Sequence, residues 1–260
     1  MSSKIYIALP VYNEWPALNS LVENLKDTLK KTKFDFKIVI CDDGSTDEGH
    51  SYLNSLIDDE DIHLIVHEYN RGLAESIRDL FEYIVNNAND EDILIRMDGD
   101  ATHNPNYIVE MVQEINKGYD VVVASRIKDN DKNLSFIRRF LSLSARYFVR
   151  IFFKMPKVKE YTGGFRAYKV SIIRKAFKFY KGSFIQLGTF GFVCTFEKLI
   201  KLNLINASFS EVPFALDYSK KTGESKMIPW ITILGYIILI PVIYFPRTGW
   251  YSRTKSERKK

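Results

Sequence analysis

Hydrophobic positions in the first half of the chain follow two periods in turn. Short apolar runs rich in β-branched residues occupy positions 5–9, 36–41, 62–66, 93–97 and 121–124. Runs of that length suit strands covered on both faces of a sheet. Between them, apolar residues recur at helical spacing. Leu18, Leu21, Val22, Leu25 and Leu29 share one helical face, with Pro16 near its first turn. Leu73, Ile77, Leu80, Phe81 and Ile84 form a second face; Ile108, Met111, Val112 and Ile115 form a third, with Pro105 near its start. Strand alternating with helix predicts an α/β fold, a Rossmann-like and mostly parallel sheet with helices on both faces. In such sheets ligands bind outside the carboxyl ends of the strands.

The second half changes character. No acidic residue stands between Asp131 and Glu160, where Lys132, Arg138, Arg139, Arg146, Arg150, Lys154, Lys157 and Lys159 are interleaved with Leu, Ile and Phe. This pattern predicts basic amphipathic helix, suited to a membrane surface or to a solvated basic face over a core. No nucleic-acid-binding motif accompanies it, so nucleic acid is not an expected partner. Residues 227–246 carry no charge. As a helix they would reach roughly 30 Å, about one hydrocarbon core, but Pro229 and Pro241 are expected to interrupt it. The tail that follows carries Arg247, Arg253, Lys255, Arg258, Lys259 and Lys260 against Glu257. A single span would leave that tail outside, against the positive-inside tendency. The expectation is therefore a membrane-associated apolar helical segment, interfacial or re-entrant, with the tail on anionic headgroups. A buried core helix is the alternative.

Composition adds bounds. The chain has 260 residues, 46% of them apolar, enough for one domain with an appendage and too many for a disordered chain. A net charge of +5 is modest. Two cysteines, Cys41 and Cys194, cannot form a disulfide framework. The first apolar run turns polar too soon for a signal sequence, so the folded part is expected in the cytosol.

Candidate chemistry sits at the strand ends. There is no G-x-G-x-x-G after the first strand, no G-x-x-x-x-G-K-[ST], and no His/Cys cluster with zinc spacing. The strand ends are acidic instead: Asp42-Asp43-Gly44-Ser45-Thr46-Asp47 follows the second, and Asp98-Gly99-Asp100 the fourth. Carboxylates there can bond a ribose or base, or hold a hard divalent cation against nucleotide phosphates. A solvated turn with a helix cap is the plainer role for residues 42–47.

The order of motifs is more specific than any one of them. Pro10-Val11-Tyr12-Asn13-Glu14 comes first, then the residue 42–47 run, Asn70-Arg71-Gly72-Leu73-Ala74, Met97-Asp98-Gly99-Asp100, Ser125-Arg126 and Thr162-Gly163-Gly164-Phe165-Arg166. Glu211-Val212-Pro213-Phe214 and Gly223-Glu224-Ser225-Lys226 close the series. Over roughly residues 4–226 this resembles the family 2 glycosyltransferases, in the branch of dolichyl- and polyprenyl-phosphate sugar synthases. The resemblance implies a GT-A fold, a GDP- or UDP-linked sugar donor, Mg2+ or Mn2+, inverting transfer, and a polyprenyl phosphate acceptor at the cytosolic membrane face. It divides the chain into a glycosyltransferase domain over 1–226, with a nucleotide-sugar half (1–125) and an acceptor half (126–226), and a membrane-associated segment with basic tail over 227–260.

The resemblance also implies roles. Pro10, Tyr12, Glu14 and Asp42 would line the base and ribose, with Asp43, Gly72 and Gly99 beside them. Asp98 and Asp100 would hold the metal and diphosphate. Arg126, Arg138 and Ser142 would meet the acceptor phosphate, and Gly163, Gly164 and Phe165 would shape the junction between sugar and acceptor. Lys226 would close over the site, with Lys220 nearby. The chain departs from the family pattern at Lys220, where Arg is frequent, and at Thr102 and Thr195, where Gln is common. Lysine meets phosphate as a point charge rather than a bidentate fork.

A phosphate acceptor needs no general base, since its second pKa of about 6 leaves it anionic at neutral pH. A sugar-hydroxyl acceptor would need one, and Glu197 is then the candidate. Glu197 at helical spacing also suits a structural pair, Arg166 a structural salt bridge, and His103 a hydrogen bond beside Asp100. Other readings are a catalytically silent membrane-surface protein and a nucleotidyltransferase; the latter would want a Gly-rich basic loop after the first strand.

Overall fold

A computed structural model describes residues 3–126, 152–153, 155, 158–215, 229–245 and 249–257. The five predicted strands form as β1 (Ile5–Val11), β2 (Phe36–Asp42), β3 (Ile62–Val66), β4 (Ile93–Arg96) and β5 (Val121–Arg126). Two further strands, β6 (Arg166–Lys169) and β7 (Phe209–Phe214), complete a seven-stranded sheet of order β3-β2-β1-β4-β6-β5-β7. Four of the pairings are parallel. The exception is β6, which runs antiparallel between β4 and β5. The sheet is therefore mostly parallel, as expected, with a reversed strand at the centre of its second half.

Period-2 alternation divides the core in two. On β1, Ile5, Ile7, Leu9 and Val11 face one layer, and Tyr6 and Ala8 the other. The first layer is covered by α1 (Ala17–Lys31) and α4 (Tyr107–Asn116), through the leucine face and the Ile108/Met111/Val112/Ile115 face read from the sequence. The other is covered by α3 (Leu73–Asn87), α5 (Val170–Tyr180) and α6 (Val193–Leu204). A short helix, α2 (Gly49–Asn54), follows β2.

Toward the C-terminus, α7 (Pro229–Tyr244) packs on α6, and α8 (Trp250–Glu257) folds back beside them. Pro229 opens α7 and Pro241 lies within it, which corrects the expectation that both prolines interrupt the segment. The helix is apolar and partly buried: Leu239 and Ile243 are fully enclosed and Phe196 meets Tyr236 at 5.3 Å. Among the described residues, no helix is long and apolar enough to cross a membrane. The expected basic helices between Asp131 and Glu160 fall largely outside the described residues.

Candidate active site

Loops from the carboxyl ends of β1, β2 and β4 interlock. The Asp43 N–H donates to the Val11 carbonyl (2.8 Å), and the Met97 N–H to that of Ala8 (3.1 Å). The Asn13 N–H donates to Ser45 Oγ (3.0 Å), the Thr46 N–H to Asn13 Oδ1 (2.8 Å), and the Trp15 N–H to Asp47 Oδ2 (3.0 Å). A methyl group at Gly99 would meet Val11 Cγ2 at 3.0 Å, the Pro10 carbonyl at 3.3 Å and Glu14 Cγ at 3.7 Å. The Asp98-Gly99-Asp100 turn thus lies directly against the loop that carries Pro10, Tyr12 and Glu14. Residues 85–89 apart in sequence meet because β1 and β4 are neighbours.

The two acidic pairs do different work. Asp42 is buried; its Oδ1 accepts the Ser45 N–H (3.0 Å), closing the turn, and its Oδ2 lies 3.4 Å from His50 Nδ1. Asp43 is also buried and holds the third loop. It accepts the N–H groups of Arg71 and Gly72, both at 2.8 Å, and stands 2.6 Å from His67 Nδ1. The other His67 nitrogen faces Asp79 at 2.9 Å, and Asp79 also pairs with Arg71 (2.9 Å). Gly72, at φ +92°, opens α3. Asp43 and Gly72 therefore act on each other, and Asp43 shapes the rim of the site. His67 and Asp79 were not singled out in the sequence, where neither belongs to a motif.

At the second pair, one oxygen of each carboxylate is gripped. Asp98 Oδ1 lies 2.5 Å from the Arg96 guanidinium. Asp100 Oδ1 accepts the Thr102 hydroxyl (2.6 Å) and N–H (3.2 Å). Thr102, where the family pattern often has Gln, thus orients Asp100. His103 sits beside Asp98 rather than Asp100: its Nδ1 accepts the Asp98 N–H (3.2 Å), and its Nε2 is 3.7 Å from Asp98 Oδ2. It stacks on Phe165 with ring centroids 5.0 Å apart. Burial holds its pKa below the usual imidazole range, with Arg96 and Arg126 adding to the effect and Asp98 and Asp100 opposing it.

Among the described residues there is no cluster of three or more metal-ligating side chains. A paired carboxylate still fits Mg2+ or Mn2+, which take one or two carboxylates and complete their shell with water and substrate phosphate.

The Arg126 side of the site is built on a further buried carboxylate, Glu160. Arg126, at the end of β5, donates from Nε to Glu160 Oε2 (2.7 Å) and from Nη2 to Thr162 Oγ1 (3.3 Å). Glu160 Oε1 accepts the N–H groups of Thr162 (2.8 Å) and Gly163 (3.0 Å). Burial alone would raise the Glu160 carboxyl, but Arg126 and the Thr162 hydrogen bonds bring it down to about 2. Gly164 has a different partner. A Cβ there would fall 1.2 Å from Arg96 Nη1, so glycine leaves the seat that the guanidinium occupies. Phe165 is buried under the site. Arg138, Ser142, Lys220 and Lys226 lie outside the described residues.

Glu197 is corrected to a structural residue. It is fully buried, its oxygens accept the Gln186 and Leu187 N–H groups (3.0–3.1 Å), and it pairs with Lys201. It has no exposure from which to serve a hydroxyl acceptor. Arg166 is structural too, but it donates to the carbonyls of Tyr161 and Thr195 rather than to a carboxylate.

Behind the site, β4, β6 and α6 bury Arg96, Arg166 and Lys198 together. Lys198 Nζ has no hydrogen-bond partner among the described residues, and burial pushes its pKa down to about 7. An unfolded lysine titrates near 10.4. Protonation thus favours unfolding, and stability rises with pH between about 7 and about 10. Lys198→Met, close in volume, is expected to stabilise the fold at pH 7 by roughly 4 kcal/mol. It should also flatten that pH dependence, as read by urea unfolding at pH 7 and pH 10. An unchanged midpoint at both would refute the assignment.

The profile described as Glycosyl transferase family 2 matches residues 6–177. Dolichol-phosphate mannosyltransferase from Pyrococcus furiosus is 26% identical over 227 residues, covering 86% of this chain and 59% of that protein. Undecaprenyl-phosphate 4-deoxy-4-formamido-L-arabinose transferase from Proteus mirabilis is 30% identical over 129 residues, 50% of this chain and 39% of that protein. The chain spans less than two thirds of the length of either relative. Among solved structures, glucosyl-3-phosphoglycerate synthase from Mycobacterium tuberculosis in complex with phosphoglyceric acid aligns with a TM-score of 0.58 at 13% identity. That alignment covers 92% of this chain and 80% of the synthase, and it is a likeness of fold, in keeping with the GT-A architecture.

Proposed function

The chain belongs to glycosyl transferase family 2, and from that premise we propose that it moves a hexose from a GDP- or UDP-linked donor to a polyprenyl phosphate, with inversion, at the cytosolic face of a membrane. One observation carries the reading: the Asp98-Gly99-Asp100 turn packs on the loop of Pro10, Tyr12 and Glu14, and Arg96 ties that turn to Gly164 of the acceptor half. Donor and acceptor motifs thereby share one site.

Pro10, Tyr12, Glu14 and Asp42 line the nucleoside end, and Asp43 keeps the Arg71–Gly72 rim in place for it. Asp98 and Asp100 would hold Mg2+ or Mn2+, which when bound neutralises charge on the departing diphosphate. Arg96 and Thr102 fix the two carboxylates beforehand, so little reorganisation is needed. Arg126, Arg138, Ser142, Lys220 and Lys226 draw an anionic acceptor toward an anionic donor. The acceptor oxygen is already deprotonated at neutral pH, so phosphate as nucleophile needs no general base, and none is assigned among the described residues. Burial of Glu197 weighs against the hydroxyl-acceptor alternative. The apolar α7 and the basic residues after it support work at a lipid surface.

The test is to incubate the full chain and membranes with a panel of radiolabelled nucleotide sugars and then extract lipid. Label entering the organic phase from one donor is the expected result and identifies that donor. Label confined to water-soluble glycans would move the acceptor to a hydroxyl, and no transfer from any donor would overturn the reading.

A further inference from the structure

The outer face of α7 is apolar and, among the described residues, exposed. Trp230, Ile233, Leu234 and Ile237 recur at spacings of three and four, and Phe245 follows; they are 42–67% exposed. Soluble surfaces rarely leave so continuous an apolar stripe uncovered. The opposite face of the same helix, with Thr232, Leu239 and Ile243, is buried. Among the described residues, one side of α7 thus belongs to the core and the other is exposed.

Where this stripe ends, a cavity of about 430 Å³ opens between α7 and α8. Its apolar wall is Pro241, Val242, Phe245 and Trp250; its polar wall is Ser183, Gln186 and Arg253. The Trp250 indole N–H donates to Gln186 Oε1 (3.2 Å), and the Arg253 guanidinium lies 4.8 Å from the Trp250 ring centroid. Among the described residues, no carboxylate lines the cavity. No acidic residue occurs in sequence between Glu224 and Glu257, whereas Lys226, Arg247, Arg253 and Lys255 do. Among the described residues, Arg253 forms no ion pair with a carboxylate. The volume is in the range of small-ligand sites. An amphiphile with an anionic head matches both walls and the stripe.

We propose that this cavity receives the headgroup of an anionic phospholipid. Its phosphodiester meets Arg253, its polar head substituent meets Gln186 and Ser183, and its chains lie along Trp230, Ile233, Leu234 and Ile237. The site is separate from the one at the strand ends and orients the chain on the bilayer rather than binding the acceptor. The inference rests on the membrane-surface reading above. It adds that attachment is selective for headgroup, through one arginine.

Flotation of the full chain with vesicles tests it, using phosphatidylcholine alone and phosphatidylcholine with 30% phosphatidylglycerol, at fixed salt. The expected result is preference for the phosphatidylglycerol vesicles. Arg253→Ala should lower partitioning to them about thirtyfold, as for a charge-assisted contact. Lys255→Ala should lower it about fivefold at most, as for diffuse surface charge. Ile237→Asp, at an exposed position, should weaken binding to both vesicles. Equal losses for Arg253→Ala and Lys255→Ala, or no preference for phosphatidylglycerol, would overturn the headgroup site while leaving membrane attachment standing. Wild-type chain that floats with neither vesicle would overturn the membrane reading as well.

Discussion

Asp100→Ala is expected to lower sugar transfer on the order of 10³-fold and to leave the fold intact. The residue stands at the meeting point of the β1 and β4 loops and has one carboxylate oxygen fixed by Thr102. Its loss removes half of the acidic pair that would hold the cation, and no third ligating side chain clusters there among the described residues. Removing the carboxylate takes one acceptor from the Thr102 hydroxyl and N–H at a partly exposed turn, about 1 kcal/mol. Lipid-extracted radiolabel measures the first effect and thermal unfolding the second. Near-normal turnover with added Mg2+ or Mn2+ would remove Asp100 from the metal-binding role.

Glu160→Ala is expected to cost stability as well as activity. Glu160 is buried and holds Arg126, the Thr162 hydroxyl and two backbone N–H groups. Truncation removes the carboxylate acceptor of a partly buried guanidinium and of those donors together, a loss of roughly 3–5 kcal/mol at pH 7. The pH dependence is specific. The folded carboxyl titrates at about 2, below the unfolded value of about 4.3. Its contribution is therefore complete above about pH 5 and fades as the pH falls through 2. The gap in urea midpoint between wild type and Glu160→Ala should be widest near neutrality and shrink between pH 4.5 and 2.5. A gap that stays constant over that range would mean that packing, not the Arg126 pair, accounts for the loss.

The regular half of the fold was legible because its signals are local. Each of the five predicted strands appears, and the three helical faces are the buried faces of α1, α3 and α4. The missed strands lack such signals. β6 has four residues and begins with a buried arginine. β7 contains Glu211 and Pro213, tolerable because it is an edge strand, where a missing N–H need not break a ladder. Nor could the reversal of β6 between β4 and β5 be read, since pairing across some 70 residues leaves no periodic trace. In the site, the motif residues stood out as types at strand ends. Their partners did not. Arg96 sits in a strand run, Glu160 ends an acid-free stretch, and His67 and Asp79 belong to no motif.

What the sequence by itself determined is the family, the doubly covered sheet and the acidic ends of its second and fourth strands, since these follow from residue type and spacing along the chain. What only the tertiary structure decided is which charges act on which. It assigned Asp43 to the rim, gave Arg96 to Asp98 and Gly164, gave Glu160 to Arg126, and withdrew Glu197 into the core. The physical reason is that a charge's role depends on burial and on neighbours within a few ångströms. Those neighbours come from strands brought side by side by the sheet, not from adjacent positions in the chain.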